Sequence, residues 1–135
     1  MTTWSLEYSF DVDKRNRVIY VKAFGIWKSD VARSYVEDFQ TEVKPIIGKP
    51  WAKLIDLSSW KTSYPDVVEI IGSHMDWSRN NNVAMSLYVL NNPSTFRQLH
   101  LAFSAGRTKE ISQVFRTLTE AEQFLKENWL TKKKS

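Results

Sequence analysis

The residues best suited to chemistry fall in one stretch, from Leu54 through Asp56, Ser58, Ser59, Trp60, Thr62, Ser63 and Pro65 to Asp66. An acid is followed by hydroxyls at the second and third positions, and a second acid opens what reads as a helix. A hydroxyl at a helix N-terminus can hold a phosphate, because the free amides and the helix dipole favour negative charge there. Asp56, at the end of an apolar strand, stands where open sheets bind ligands. Ser63, Tyr64 and Asp66 can also serve simply as helix caps. Trp27 and Trp60 each follow a strand end, and tryptophans in loops are enriched at interfaces and ligand walls. The candidate interaction or ligand site is therefore Trp27, Asp56, Ser58, Ser59, Trp60, Ser63 and Asp66.

Catalytic and metal chemistry find no pattern. His74 and His100 are the two histidines, and neither stands in a His-x-x-x-His or Glu-x-x-His arrangement. His74 falls on the apolar face of a helix and His100 between Leu99 and Leu101, so both read as packed or surface side chains. There is no cysteine, which removes disulfides, thiolate metal sites and a cysteine nucleophile. With 4 glycines, no backbone loop is free to cradle phosphates. Ser104-Ala105-Gly106-Arg107-Thr108 could hold an anion, but a helix stop followed by a loop is the commoner identity of such a run. No catalytic residue, metal ligand or cofactor is expected.

Charge and composition exclude further classes. The chain has 135 residues, 42% hydrophobic and 25% charged, which suits one domain with a real core. Lys132, Lys133 and Lys134 carry most of the net charge of +4, and without them 16 basic residues face 15 acidic ones. A basic face across the fold, as nucleic-acid binders show, is not expected. The three lysines read as a solvated tail over residues 131–135, after a single domain over 1–130. No apolar run reaches the roughly 20 residues of a membrane span, and the N-terminal residues lack a signal-peptide pattern. A cytoplasmic protein is expected.

The elements that must position the site are legible from periodicity. Trp4, Leu6, Tyr8, Phe10 and Val12 alternate with polar residues, predicting a strand with one wet face. A turn at Asp13–Asn16 leads to a second strand, Arg17–Phe24, so the two should form an antiparallel hairpin. Val31, Tyr35, Phe39 and Val43 place an apolar stripe on a first helix, with Ala32 and Val36 beside it and Glu37, Asp38 and Glu42 on the wet side. Trp51–Leu57 reads as a third strand, and Pro65-Asp66 opens a second helix with Val67, Ile71, Met75 and Ser78 inward. Val83–Leu90 is a strand covered on both faces. Asn92-Pro93 opens a third helix with Phe96, Leu99, Ala102 and Phe103 inward, ended by Gly106. Ile111–Thr117 is a polar edge strand, and Thr119-x-x-Glu122 is a capping box for a last helix. Trp4, Trp51 and Trp77 are core by position, and Trp129 closes the last helix.

The order ββαβαβαβα predicts an α/β fold: a mostly parallel sheet with an antiparallel N-terminal hairpin and packed helices. Val18 to Gly25, the acid-bearing helix start Ser29-Asp30 and the strand Leu54-Ile55-Asp56-Leu57-Ser58 resemble the SpoIIAA-like fold, that of the STAS domain of anti-sigma-factor antagonists. The resemblance covers about residues 6–129 and implies a bacterial regulatory module that binds a protein partner. In STAS antagonists the corner carries Asp-Ser-Ser-Gly with a serine at the helix start. Here that quartet falls on Tyr64, Pro65, Asp66 and Val67, so the resemblance implies a divergent member without the usual switch.

Two functions are therefore expected in competition. The first is a non-enzymatic module that binds a protein partner or self-associates, as a homodimer for example. The alternative, implied by lipid-carrying domains of the same fold, is a binder of a lipid or small apolar molecule, with Trp27, Trp60, Phe96 and Phe103 as pocket walls.

Overall fold

Val18–Trp27 (β3) and Trp51–Ser63 (β4), the two longest strands, pair in parallel at the centre of a six-stranded sheet. The computed structural model describes residues 2–4, 7–63, 65–92, 97–102 and 111–130. The remaining strands are Thr2–Trp4 (β1), Tyr8–Asp13 (β2), Val83–Val89 (β5) and Ser112–Phe115 (β6), and all six lie side by side in chain order. The pairs β1–β2 and β2–β3 are antiparallel; β3–β4, β4–β5 and β5–β6 are parallel. The fold class expected from the sequence is the one observed.

The helices follow from connection chemistry. Ser29–Val43 (α1), Pro65–Asn80 (α2) and a helix over 97–102 (α3) link the parallel strands. Right-handed crossovers between strands laid down in sequence place every linking helix on one face. The larger core accordingly joins Tyr35 and Phe39 of α1, Val67 and Met75 of α2, and Leu99 and Ala102 of α3. The last helix, Leu118–Leu125 (α4), follows the edge strand and covers the opposite face through Ala121 and Leu125. Trp129 then donates its indole N–H to Asn16 O at 2.7 Å, tying the chain end to the β2–β3 turn.

Several local expectations are corrected. The alternating segment Trp4–Val12 is two strands, β1 folding back on β2 with Trp4 opposite Ser9 and Thr2 opposite Asp11. A hairpin preserves the period of two, so alternation alone cannot separate one strand from two. The expected β2–β3 hairpin is present, with Tyr8 opposite Ala23 and Asp13 opposite Val18. Asp38 is half-buried rather than fully solvated, and its carboxylate accepts the Tyr8 hydroxyl at 2.6 Å. The capping box lies two residues earlier than expected. Thr117 Oγ1 accepts from Glu120 N at 3.2 Å, and Thr119 and Glu122 are exposed. Both registers fit the sequence, but this one turns Ala121 and Leu125 onto the sheet. Phe96, Phe103, Ser104 to Thr108 and the lysine tail lie outside the described residues, as do Pro93 and Tyr64.

The largest correction concerns β4. The strand does not end at Leu57 but runs to Ser63, so Trp27 and Trp60 stand in strands rather than loops. Two register shifts against β3 insert extra residues, Lys22 pairing with Asp56 but Phe24 with Ser59, and Gly25 with Trp60 but Ile26 with Thr62. Such bulges bend and re-aim a strand without ending it. The Asp56 carboxylate stabilises the first, taking the Ser58 amide at 3.0 Å and its hydroxyl at 2.6 Å. Gly25, on the partner strand beside the second, has φ +69°, a conformation that side-chain-bearing residues adopt at a cost.

Candidate functional site

β4 aims alternate side chains at opposite faces. Lys53, Ile55 and Leu57 point under α1 and α2, and after the bulge Trp60 joins them. Together with Ala23 and Trp27 of β3 and Tyr88 of β5 they floor a cavity of about 50 Å3. Tyr35 of α1 and Val67, Ile71 and His74 of α2 form its roof, and Gln98 and Leu99 of α3 close one side. Apolar side chains supply most of this lining, and no carboxylate is among its described residues.

Lys53 is 1% exposed, in the middle of the apolar run Trp51-Ala52-Lys53-Leu54-Ile55. Burial alone brings its ammonium down from 10.5 to about 7. Its Nζ lies 5.6 Å from the centre of the Phe39 ring and 6.0 Å from that of Tyr88, within the reach of a cation–π attraction. His74 is wedged among aromatic rings, 4.4 Å from Phe39 and 5.6 Å from Tyr35, and stacks on Trp77 at 6.0 Å. Burial, and then the charge on Lys53, hold the imidazole well below its usual range, so the ring is neutral. Both of its nitrogens, and the indole nitrogen of Trp60, are buried without a hydrogen-bond partner among the described residues. Tyr35 is pushed well above the usual range by burial, with Tyr88 and Tyr8 adding to it, so its hydroxyl stays protonated. The cavity is an apolar chamber with several polar groups turned into it and few acceptors to meet them.

The sequence-derived site residues divide between two places. Trp27 and Trp60 reach the cavity; Trp27 is 4% exposed, with its indole N–H donating to Phe24 O at 3.0 Å. Asp56 is half-buried on the opposite face of β4, and Ser58 and Ser59 are exposed beside it. Ser63 pairs with Trp27 at the end of the β3–β4 ladder, and Asp66 is exposed in the first turn of α2. Asp56, Ser58 and Ser59 thus sit at the first bulge within β4, apart from the chamber beneath the helices, while Ser63 and Asp66 stand at the strand's end and the helix start. Lys53 escaped the sequence reading. Its signal was a lysine inside a parallel strand otherwise apolar on both faces. Of the two identities the sequence leaves open for His74, packed or surface, the structure shows the packed one; what the helical pattern could not show is that Lys53 is its neighbour.

No protein-family model and no curated protein matches this chain. Solved structures do. One is an uncharacterized protein of the DUF3478 family with a SpoIIAA-like fold from Shewanella loihica PV-4, with a TM-score of 0.64 at 11% identity, covering 91% of this chain and 98% of that one. Another is an anti-sigma factor antagonist from Mycobacterium paratuberculosis, with a TM-score of 0.60 at 19% identity, covering 87% of this chain and 92% of that one. The architecture is therefore a SpoIIAA-like, STAS-like domain fold.

Proposed function

We propose that this domain is a non-enzymatic regulatory or protein-interaction module that works without a standard serine phosphoswitch. One observation carries the reading. The first turn of α2 bears Pro65 and Asp66 where a switchable hydroxyl would stand, while Ser58 is tied to Asp56 inside β4. A fixed carboxylate at a helix start supplies the negative charge permanently, and proline withdraws one amide from any phosphate cradle. The shared fold with an anti-sigma factor antagonist supports a protein partner, and self-association and a cytoplasmic setting are part of the same reading. Contact is expected toward the C-terminal ends of β3 and β4, at Asp66 and at Ile26, an apolar side chain 55% exposed, with Asp56, Ser58 and Ser59 farther back along β4. No helix among the described residues is long and apolar enough to cross a membrane. Nucleic acid and stable membrane insertion are outside this reading. The test is mass spectrometry of protein recovered from its native cells in several growth states, with its partners identified alongside. Substantial phosphate on Ser58, Ser59, Thr62 or Ser63, linked to altered partner binding, would restore the phosphoswitch.

A second reading, a binder of a small apolar molecule, is favoured by the cavity and its unpartnered polar groups. A volume of about 50 Å3 lies far below the several hundred that drug-sized ligands occupy, so a whole lipid chain is not the guest this chamber fits.

A further inference from the structure

The polar groups in the cavity are unequal in kind. An ammonium has donors and no acceptor, and an indole N–H is donor only; a neutral imidazole adds one donor and one acceptor. Trp60 presents a donor, and His74 a donor and an acceptor, that no described group satisfies, and the Lys53 ammonium, over the Phe39 and Tyr88 rings, lines the same cavity. Buried polar groups left unpaired are rare, and each calls for an explanation. The groups facing Lys53 are Tyr35 of α1, His74 of α2 and Tyr88 of β5, with Gln98 of α3 on the same cavity; none is anionic. Around these donors stand Ile55, Leu57, Val67 and Ile71, which cannot accept a hydrogen bond. The missing complement is an acceptor, negatively charged and attached to a short hydrocarbon.

We propose that the cavity binds a small apolar carboxylate, its oxygens meeting Lys53 Nζ and a second donor from Trp60 or His74. This rests on the ligand-binding reading and narrows it to one class. The volume sets the size. An engineered cavity of roughly 150 Å3 takes benzene, with six heavy atoms, so about 50 Å3 admits only the smallest carboxylates, formate or acetate. Charge-assisted hydrogen bonds are strong in a dry chamber, and a carboxylate supplies the acceptors these donors lack. Binding also moves a proton. Above about pH 7 the free amine is largely neutral, and pairing with a carboxylate draws a proton onto it. Binding should therefore weaken as pH rises and take up close to one proton per ligand at pH 8, but little at pH 6.

The experiment is calorimetric titration of the whole protein with formate, acetate and butyrate, and with acetamide as the neutral isostere, in buffers of different ionisation enthalpy. Acetate is expected to bind at least tenfold tighter than acetamide or butyrate, with the proton uptake just stated. Lys53→Met is expected to lose acetate at least tenfold, and Lys53→Gln serves if the Met variant does not fold. Equal binding of acetamide and acetate, or binding without proton uptake at pH 8, would overturn the carboxylate inference and leave a neutral-ligand cavity. No heat and no thermal shift with any of the four compounds at millimolar concentration would overturn both this inference and the ligand-binding reading.

Discussion

Lys53 folds at a cost that pH can remove. Its amine has a pKa of about 7 in the fold and about 10.4 when the chain is unfolded. Between these values the unfolded chain holds a proton that the folded chain has released, so stability rises with pH across that window and is flat below it. Lys53→Met should therefore be more stable than the natural protein at pH 6, by a few kcal/mol. The gap should narrow toward pH 10. Urea unfolding at pH 6, 8 and 10 measures it, and a gap that does not change with pH counts against an isolated buried amine. His74 acts in the same direction at lower pH. Burial keeps its imidazole from charging, so as pH drops through about 6.5 the unfolded chain gains a proton that the fold refuses. Stability is lost on acidification, and His74→Phe, which suits the Phe39 and Trp77 contacts, should flatten that loss between pH 7 and 5.

At the level of elements, the hairpin and the bulged strand carry the measurable consequences. Phe10 of β2 is 1% exposed and meets Phe39 edge-on at 5.8 Å and Tyr35 at 5.5 Å. Phe10→Ala should cost about 3–5 kcal/mol by chemical denaturation, and a loss below about 1 kcal/mol would contradict the packing of the hairpin on α1. Gly25 faces open space where a Cβ would be, so Gly25→Ala meets no clash. Its cost is backbone strain alone, about 1–2 kcal/mol, and the cavity at the other face of the bulge should be re-aimed with Trp60. Fluorescence of the Trp60 indole reports that shift. Thr117→Ala removes the cap of α4 and should cost about 1 kcal/mol, whereas Thr119→Ala should cost little. The capping motif was legible in the sequence, but its register was not, because two overlapping Thr-x-x-Glu patterns offer equal local chemistry. Packing of Ala121 and Leu125 onto the sheet decides between them.

For the whole molecule, the same titrations set a stability profile. The hydroxyls of Tyr8, Tyr35 and Tyr88 are raised above their ordinary range by burial first, and for Tyr8 by the Asp38 bond as well. Above about pH 10 the unfolded chain loses these protons while the fold keeps them, and stability falls. Thermal denaturation from pH 5 to 11 should therefore show a broad optimum on the alkaline side of neutrality, shifted to lower pH in Lys53→Met. A maximum below pH 6 would contradict the burial of both Lys53 and His74. The strand ends and the chamber are separate features of one sheet, so a partner contact and a ligand can be tested independently. Ile26→Asp should leave stability within about 0.5 kcal/mol while weakening any partner bound at the ends of β3 and β4.

The sequence by itself determined the order of elements, the inward faces of α1 and α2, the β2–β3 hairpin and the absence of a hydroxyl at the start of α2. These are local: a period of 2 or 3.6, a turn, a proline. It also marked Trp27 and Trp60 as worth watching, though it placed them in loops. The tertiary structure decided that β4 continues to Ser63, because Asp56 holds the Ser58 amide and β3 supplies ladder partners for residues that read as a polar corner. It decided that Trp60 faces inward while Ser58 and Ser59 remain outside. And it decided that Lys53, His74 and Tyr35, from three different elements, enclose one chamber. No spacing along the chain encodes that meeting. It arises only when crossover helices are laid on one face of the sheet, and the environment it creates, not the residue types, sets the state of the buried amine.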